Sequence, residues 1–306
     1  MNKKKVIIFG GSGYIGIHLS QALIKKNYIV TIFDLKKNEF NKGTKFVKGN
    51  ILNIESVKRA VKGNDIIYHF AGEADIYAAN KNPLKAIKKN ILGTTNVLEA
   101  AIKYKIKRFI FASSIYVFSE QGGIYRTTKQ ACELIIENYS NIFDLKYTNL
   151  RFGSIYGPGA NNFNFIHKML NDAVLNKKMV RNGDGSEVRN YINVLDVAKY
   201  CVIILQKKYE NKNVMLLGKE KKTIKQVLNL IKSLLGNHIK IEYTGKRDFA
   251  HYKTSPFNFR PRKAELLKEF SEINFEVGIK NLIKEVEETI NDKKSKGKKK
   301  YRINNL

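Results

Sequence analysis

Tyr125 and Lys129 stand four residues apart in the run I-Y-R-T-T-K-Q-A-C-E-L. Four residues is about one helical turn, so on a helix both side chains leave the same face. A phenol beside an ammonium is an acid–base device. The positive charge favours phenolate and is expected to lower the Tyr125 pKa from its usual ~10 towards neutrality. A tyrosine tuned in this way can take the proton of a sugar or alcohol hydroxyl. The spacing alone also suits an ordinary amphipathic helix, because Tyr and Lys are both frequent here. What positions the pair has to be read from the elements around it.

In the first half, short apolar runs alternate with amphipathic segments. Val6–Gly10, Ile29–Asp34, Lys45–Gly49, Asp65–Ala71, Arg108–Ser113 and Thr148–Phe152 read as strands. Ile15–Lys26, Ile54–Val61, Leu84–Tyr104 and Arg126–Tyr139 read as helices between them. Such alternation predicts an α/β fold, a parallel sheet with helices on both faces. Beyond residue 152 the pattern loosens, with Gly157-Pro158-Gly159 marking a turn. A helix is expected at about 163–176, a strand at Tyr191–Val194 and a helix at Asp196–Lys207. Val214–Leu217 reads as a strand able to return to the first sheet. Ile224–Leu235, Ile239–Tyr243 and Ile279–Ile290 read as helix, strand and helix. The division expected is 1–155 with a return of about 191–218, then 156–190 with 219–290 as a smaller, partly discontinuous α/β domain. Residues 291–306 read as a disordered basic tail.

The run G-G-S-G-Y-I-G at 10–16 follows a strand and opens a helix. Gly10, Gly13 and Gly16 permit a tight turn, close approach of backbone to a pyrophosphate, and close helix–strand packing. The helix N-terminus then faces the anion. Asp34 ends the second strand, where a carboxylate can accept both adenosine ribose hydroxyls and repels a 2′-phosphate. That favours NAD over NADP, although Lys36 and Lys37 pull the other way. Asp34 as a solvated turn residue is the plainer alternative.

Composition narrows the class. The chain has 306 residues, enough for one large domain or two small ones, and 43% are apolar, enough for a core. Cys132 and Cys201 lie in apolar-periodic stretches and read as buried thiols of a reducing compartment. The five His are scattered, so no metal site is expected. The N-terminal apolar run is too short for a signal peptide or membrane span, and a cytoplasmic protein is expected. The net charge of +29 rests on 46 Lys among 56 basic residues spread along the chain. It reads as composition bias, not a nucleic-acid patch. The dense cluster is K-K-S-K-G-K-K-K-Y-R at 293–302.

Further motifs follow in order: H-F-A-G at 69–72, N-I-L-G-T-T-N-V-L-E-A at 90–100, F-A-S-S at 111–114, L-R-F-G-S-I-Y-G-P-G at 150–159 and V-R-N-Y-I-N-V-L-D-V-A at 188–198. With the glycine loop, Asp34 and Tyr125-x-x-x-Lys129, this order resembles the extended short-chain dehydrogenase/reductases. More narrowly, it resembles the nucleotide-sugar epimerase/dehydratase family, over about residues 5 to 290. The resemblance implies a Rossmann-type doubly wound sheet that binds NAD and a second domain that binds a nucleotide-diphosphate sugar. It implies that Gly10, Gly13, Tyr14, Ile15 and Gly16 hold the pyrophosphate and Asp34 the ribose. Asn50, where most relatives have Asp, and Ile51 would flank the adenine. Phe70, Ala71 and Gly72 would line the cofactor cleft, and Asn90 would brace the active-site region. Arg189 would pair with the substrate diphosphate, with Asn161 and Arg260 as weaker candidates. A surface pairing is the plainer reading of both arginines.

The chemistry implied is that Tyr125 as phenolate removes the proton of a sugar hydroxyl while a hydride leaves the same carbon. Ser114 would hydrogen-bond the reacting oxygen; Ser113 is expected to be satisfied by backbone. Lys129 would hold the nicotinamide ribose and keep the Tyr125 pKa low. Two departures matter. Dehydratases of the family carry acids just after the serine or threonine, where this chain has Ile115 and Tyr116, so dehydration is disfavoured. Tyr125 also follows Ser114 by eleven positions, where many relatives use about two dozen. The resemblance leans to a nucleotide-sugar 4-epimerase. The alternatives are a 4-dehydrogenase releasing a 4-keto sugar with NADH and a non-catalytic NAD-binding regulator. By family habit a homodimer, through helices 84–104 and 126–139, and a place in surface polysaccharide assembly are expected.

Overall fold

The computed structural model describes residues 3–161, 163–245, 251, 265–266 and 273–296. Its strands in chain order are β1 (Lys5–Phe9), β2 (Ile29–Asp34), β3 (Lys45–Lys48), β4 (Ile66–His69), β5 (Arg108–Ser114), β6 (Tyr147–Phe152), β7 (Ser154–Tyr156), β8 (Lys178–Arg181), β9 (Val188–Asn193), β10 (Lys212–Leu216), β11 (Lys221–Thr223), β12 (Lys240–Tyr243) and β13 (Glu265–Leu266). The helices are α1 (Tyr14–Lys25), α2 (Ile54–Val61), α3 (Ile76–Lys81), α4 (Pro83–Ile87), α5 (Gly93–Lys103), α6 (Gly123–Phe143), α7 (Phe165–Asn176), α8 (Val194–Ile203), α9 (Ile224–Leu235) and α10 (Phe275–Lys296).

One sheet takes eight strands in the order β13-β10-β6-β5-β4-β1-β2-β3, and every pairing in it is parallel. This is the expected doubly wound sheet, extended by the two-residue β13 at one edge. The strand order reverses around β1, between β2 and β4, and ligands of such sheets bind at that switch. Val6–Phe9 and Ile66–His69 are buried throughout, which is why their sequences read as unbroken apolar runs. Helices α2, α5 and α6 cover one face and bury Val57, Val97, Leu98, Cys132 and Ile136.

The first compact unit holds Met1–Phe152, Val197–Leu216 and the segment with β13. The second holds Gly153–Asp196, Leu217–Ser255 and the segment with α10. The sequence boundaries shift accordingly. Residues 191–196 were expected to return with the first sheet, but β9 pairs with β7 and β11 in the second unit. That unit has a core of its own, including Leu170, Met179, Leu228 and Leu282.

Three expectations about helices need correction. Leu84–Tyr104 is not one regular helix. A wide turn at Lys88–Leu92, with hydrogen bonds one residue longer than α, interrupts it and turns Asn90 inward. Residues 291–296 are helical, because α10 runs to Lys296, where a disordered tail was expected. The helix carrying Tyr125 begins earlier than read. Its N-terminus is held by Asn80 of α3, whose Oδ1 accepts the Ile124 N–H at 3.0 Å. A long-range cap of this kind leaves no local signal. Among the described residues, no helix is long and apolar enough to cross a membrane.

Candidate active site

The glycine loop leaves β1 at Gly10 and enters α1 at Gly13, the N-cap, and no side chain caps that helix. A Cβ on Gly10 would stand 2.6 Å from the Ala71 N, and one on Gly16 would stand 2.6 Å from the Gly11 Cα. The loop is therefore pressed against both the chain after β4 and itself. Its backbone is tied down by Asp34, which ends β2. Asp34 Oδ2 accepts the Ser12 N–H at 3.0 Å and Oδ1 the Leu35 N–H at 2.7 Å. Asn38 and Asn41 donate to the Ser12 and Gly11 carbonyls at 3.2 and 3.0 Å. The result is a bare cradle at a helix N-terminus, with a carboxylate at its edge, which fits a dinucleotide.

Tyr14 and Ile15 form the first turn of α1 and are half-buried. Asn50 is exposed and its Oδ1 accepts the Leu52 N–H at 3.0 Å. Ile51 points into the core, where a Cβ on Gly93 would meet its Cδ1 at 2.5 Å. Phe70, Ala71 and Gly72 follow β4 and face the cradle through Ala71. Asn90 braces this loop. Its Oδ1 accepts the Glu73 N–H at 2.6 Å, and its Nδ2 donates to the Glu73 carbonyl at 3.1 Å and to Thr128 Oγ1 at 2.9 Å. One buried amide thus joins the loop after β4 to α6.

Ser114 ends β5, and Tyr125 and Lys129 lie in the first two turns of α6; all three are buried. The Ser114 side chain lies beside the Tyr125 phenol and favours its ionised form. It also accepts the Tyr116 N–H at 3.3 Å, which starts the short turn Ile115–Phe118. Lys129 has a partner of its own. Its ammonium donates to the Ala112 carbonyl at 2.7 Å and stands 5.8 Å from the Tyr125 ring centroid. Burial raises the Tyr125 pKa and the Ser114 side chain works against it. Burial also lowers the Lys129 pKa, with Cys132 and Glu133 opposing. The lowered tyrosine pKa read from the spacing is therefore not produced by the chain's own residues.

Ile115 is buried, and the Tyr116 ring meets the Tyr125 ring edge-on at 6.2 Å. Ser113 was expected to bond backbone; its hydroxyl instead donates to Glu133 Oε1 at 2.5 Å. Glu133 and Arg151, joined by two bonds of 2.9 and 2.6 Å, were missed in the sequence. Their signals were there. Glu133 follows Lys129 by one more turn, and a charge inside the apolar run of β6 needs a partner.

His69, at the end of β4, is buried among the rings of Phe9, Phe109 and Phe111. Its Nε2 lies 2.9 Å from Thr94 Oγ1, whose hydroxyl donates to the Asn90 carbonyl. Burial first, and the Lys129 charge second, push the His69 pKa down to about 3. The native imidazole stays neutral where the unfolded one, near ~6.5, takes a proton. Stability is then complete above pH ~6.5 and falls as pH drops towards 3. At pH 5 the loss is about 2 kcal/mol. Urea melts at pH 7.5 and 5.0 should show it, and His69→Phe should remove this part. An equal loss in the variant would refute the assignment.

In the second unit, Arg189 lies in β9, is buried, and donates to the Val188 carbonyl at 2.9 Å. Asn190 donates to the Gly218 carbonyl at 3.1 Å. Asn161 stands in the turn before α7, its Oδ1 accepting the Phe163 N–H at 3.1 Å. Arg260 lies outside the described residues.

Known proteins bear on this geometry. Residues 6–218 match the family described as "NAD dependent epimerase/dehydratase family". The chain is 31% identical over 242 residues to the dTDP-D-glucose 4,6-dehydratase of Dictyostelium discoideum, covering 67% of this chain and 56% of that one. It is 25% identical over 314 residues to the UDP-glucuronate 4-epimerase of Thermodesulfobacterium geofontis, covering 93% and 96%. Its fold is that of the Thermotoga maritima UDP-glucose 4-epimerase, with a TM-score of 0.83 at 24% identity over 94% of this chain and 99% of that one. The glycine cradle with Asp34 and the buried Ser114, Tyr125 and Lys129 all fall within the matched span. The chain belongs to the NAD dependent epimerase/dehydratase family.

Proposed function

We propose that this protein is a nucleotide-sugar 4-epimerase, which oxidises C4 of a nucleotide-linked sugar and reduces it again. The observation that carries the reading is the buried set Ser114, Tyr125 and Lys129 at the end of β5 and the start of α6, with no acid at positions 115 and 116. Of the relatives named above, one is a dTDP-D-glucose 4,6-dehydratase and two are 4-epimerases of UDP-sugars. Likeness alone does not choose between them; the residues after Ser114 favour the epimerase. Elimination of water after oxidation needs a second acid–base group. Ile115 has none, and the Tyr116 ring packs on Tyr125.

The roles we propose are these. The cradle from Gly10 to Gly16 and Asp34 would hold NAD, and Lys129 would reach its nicotinamide ribose. NAD, when bound, supplies a hydride acceptor and a positive charge. Tyr125 takes the proton of the C4 hydroxyl, and Ser114 donates a hydrogen bond to the same oxygen. Because burial raises the Tyr125 pKa, ionisation would depend on the positive charge that a bound cofactor brings. Arg189 is the candidate for the substrate diphosphate.

The test is incubation of the full chain with UDP-, GDP- and dTDP-sugars, following nicotinamide absorbance and product NMR. C4 epimers without net NADH support the reading. A free ketosugar with NADH would replace it with a dehydrogenase, and a 4-keto-6-deoxy product would overturn the argument from Ile115 and Tyr116. We further propose a homodimer through α4, α5 and α6. Leu84, Ile87, Leu92, Leu134, Ile142 and Phe143 are exposed on these helices and the wide turn between them, the kind of apolar surface that a second copy covers. Leu134→Glu is expected to convert a dimer to a monomer in sedimentation. A wild-type monomer would refute the assembly.

A further inference from the structure

We propose that Glu133 is a positioning residue that holds Ser114 against Tyr125 by tying the strand of one to the helix of the other. The proposal rests on the reading of Ser114 and Tyr125 above. Glu133 follows Tyr125 by eight residues on α6, two turns along the same buried face. Its Oε1 accepts from Ser113 Oγ at 2.5 Å and from Arg151 Nε at 2.9 Å, and its Oε2 accepts from Arg151 Nη2 at 2.6 Å. Ser113 is the residue before Ser114 on β5, and Arg151 is its register partner on β6. The Arg151 guanidinium also lies over the Phe118 ring, 4.4 Å from its centroid. Phe118 closes the short turn that Ser114 opens.

One carboxylate therefore joins four places: the catalytic helix, the ends of β5 and β6, and the turn after Ser114. Stability does not account for it. A buried ion pair is often matched by well-packed apolar residues of similar volume. What the ion pair adds is direction, since a bidentate fork fixes both partners in plane. Glu133 itself does no proton transfer in this scheme, because both its oxygens are already engaged. Fixing Ser113 fixes the peptide from which Ser114 hangs, and so the approach of its hydroxyl to the Tyr125 phenol. Sub-ångström placement of that kind matters most in the chemical step.

Ser113→Ala tests this without unpairing Arg151. In the NAD-saturated full chain, kcat on a nucleotide sugar should fall by about ten-fold with KM changed less than about two-fold. Ser113→Thr, which keeps the hydroxyl, should restore it. A second readout needs no turnover. With tyrosine labelled at the ring carbon bearing oxygen, the Tyr125 signal, assigned by its loss in Tyr125→Phe, should move in Ser113→Ala and return in Ser113→Thr. If the wild-type chain turns over no nucleotide sugar, that signal alone decides, so the proposal can stand while the reaction assigned above falls. Either readout unmoved in an active enzyme overturns the proposal, including a variant that merely melts lower. Glu133→Gln should repeat the effect if it folds, and its failure to fold leaves the serine variants to decide.

Discussion

Tyr125→Phe is expected to lower turnover by about a hundred- to ten-thousand-fold, with the fold and NAD binding unchanged. The loss corresponds to about 3–5 kcal/mol of transition-state stabilisation. Phenylalanine keeps the ring that packs edge-on against Tyr116 and lies near the Lys129 ammonium. Only the hydroxyl goes, and with it the proposed acceptor of the C4 proton. Ser114 keeps the Tyr116 N–H as a partner, so no buried hydroxyl is left without one. The buried phenol already carries a desolvation cost, and its removal is expected to change stability by less than about 1 kcal/mol. Steady-state kinetics, calorimetric NAD titration and thermal melts check the three parts. Activity within ten-fold of wild type would mean that Tyr125 is not the base.

Gly10→Ala is expected to destabilise the chain by about 2–5 kcal/mol and to weaken NAD binding. Two effects add. At φ +79 an alanine sits in left-handed backbone, which costs about 1–2 kcal/mol. Its Cβ would also meet the Ala71 N at 2.6 Å and the Phe70 carbonyl carbon at 2.9 Å. Those are backbone atoms that move only if the loop after β4 moves, an overpacking worth about 1–3 kcal/mol. Gly63 separates the two. It has φ +81 and nothing within 4 Å of its would-be Cβ, so Gly63→Ala should show the first effect alone. At roughly 2 °C per kcal/mol for a chain of this size, Gly10→Ala should melt ~4–10 °C lower. Equal melting of the two variants would mean that the close approach to Ala71 carries no weight.

These two positions also show what could be read from the sequence. Gly10 was readable because a glycine-rich turn between a strand and a helix has a local physical cause. The central strands were readable for a similar reason, since burial on both faces leaves unbroken apolar runs. Tyr125 and Lys129 were placed by their spacing, but their electrostatics were not. Spacing says that two groups share a face; it does not say that the ammonium turns to the Ala112 carbonyl or that burial raises the phenol. The wide turn at Lys88–Leu92 was hidden because one extra residue leaves the apolar pattern helical on either side. Asn80 was hidden because its partner lies far along the chain, and Glu133, although its spacing from Lys129 was visible, could be joined to Arg151 only through the pairing of β5 with β6. A division near residue 155 was readable as a loosening of pattern. That β9 belongs to the second unit depends on strand pairing, which Tyr191–Val194 does not announce.

The eleven-residue step from Ser114 to Tyr125 also has a meaning in chain entropy. Closing a loop costs free energy that grows with the logarithm of its length, so a step of about two dozen residues would cost only about 0.7 kcal/mol more. That is too small to explain a short step by stability. It also means that the edge of this site can be lengthened cheaply. Between Ser119 and Gly122, beyond the bonds that Ser119 receives from Arg126 and Gln121, chain length is a nearly free variable, while Ser114 and Tyr125 stay pinned by α6 and β5. Selection or design can redraw this edge of the candidate site without reopening the question of whether the protein folds.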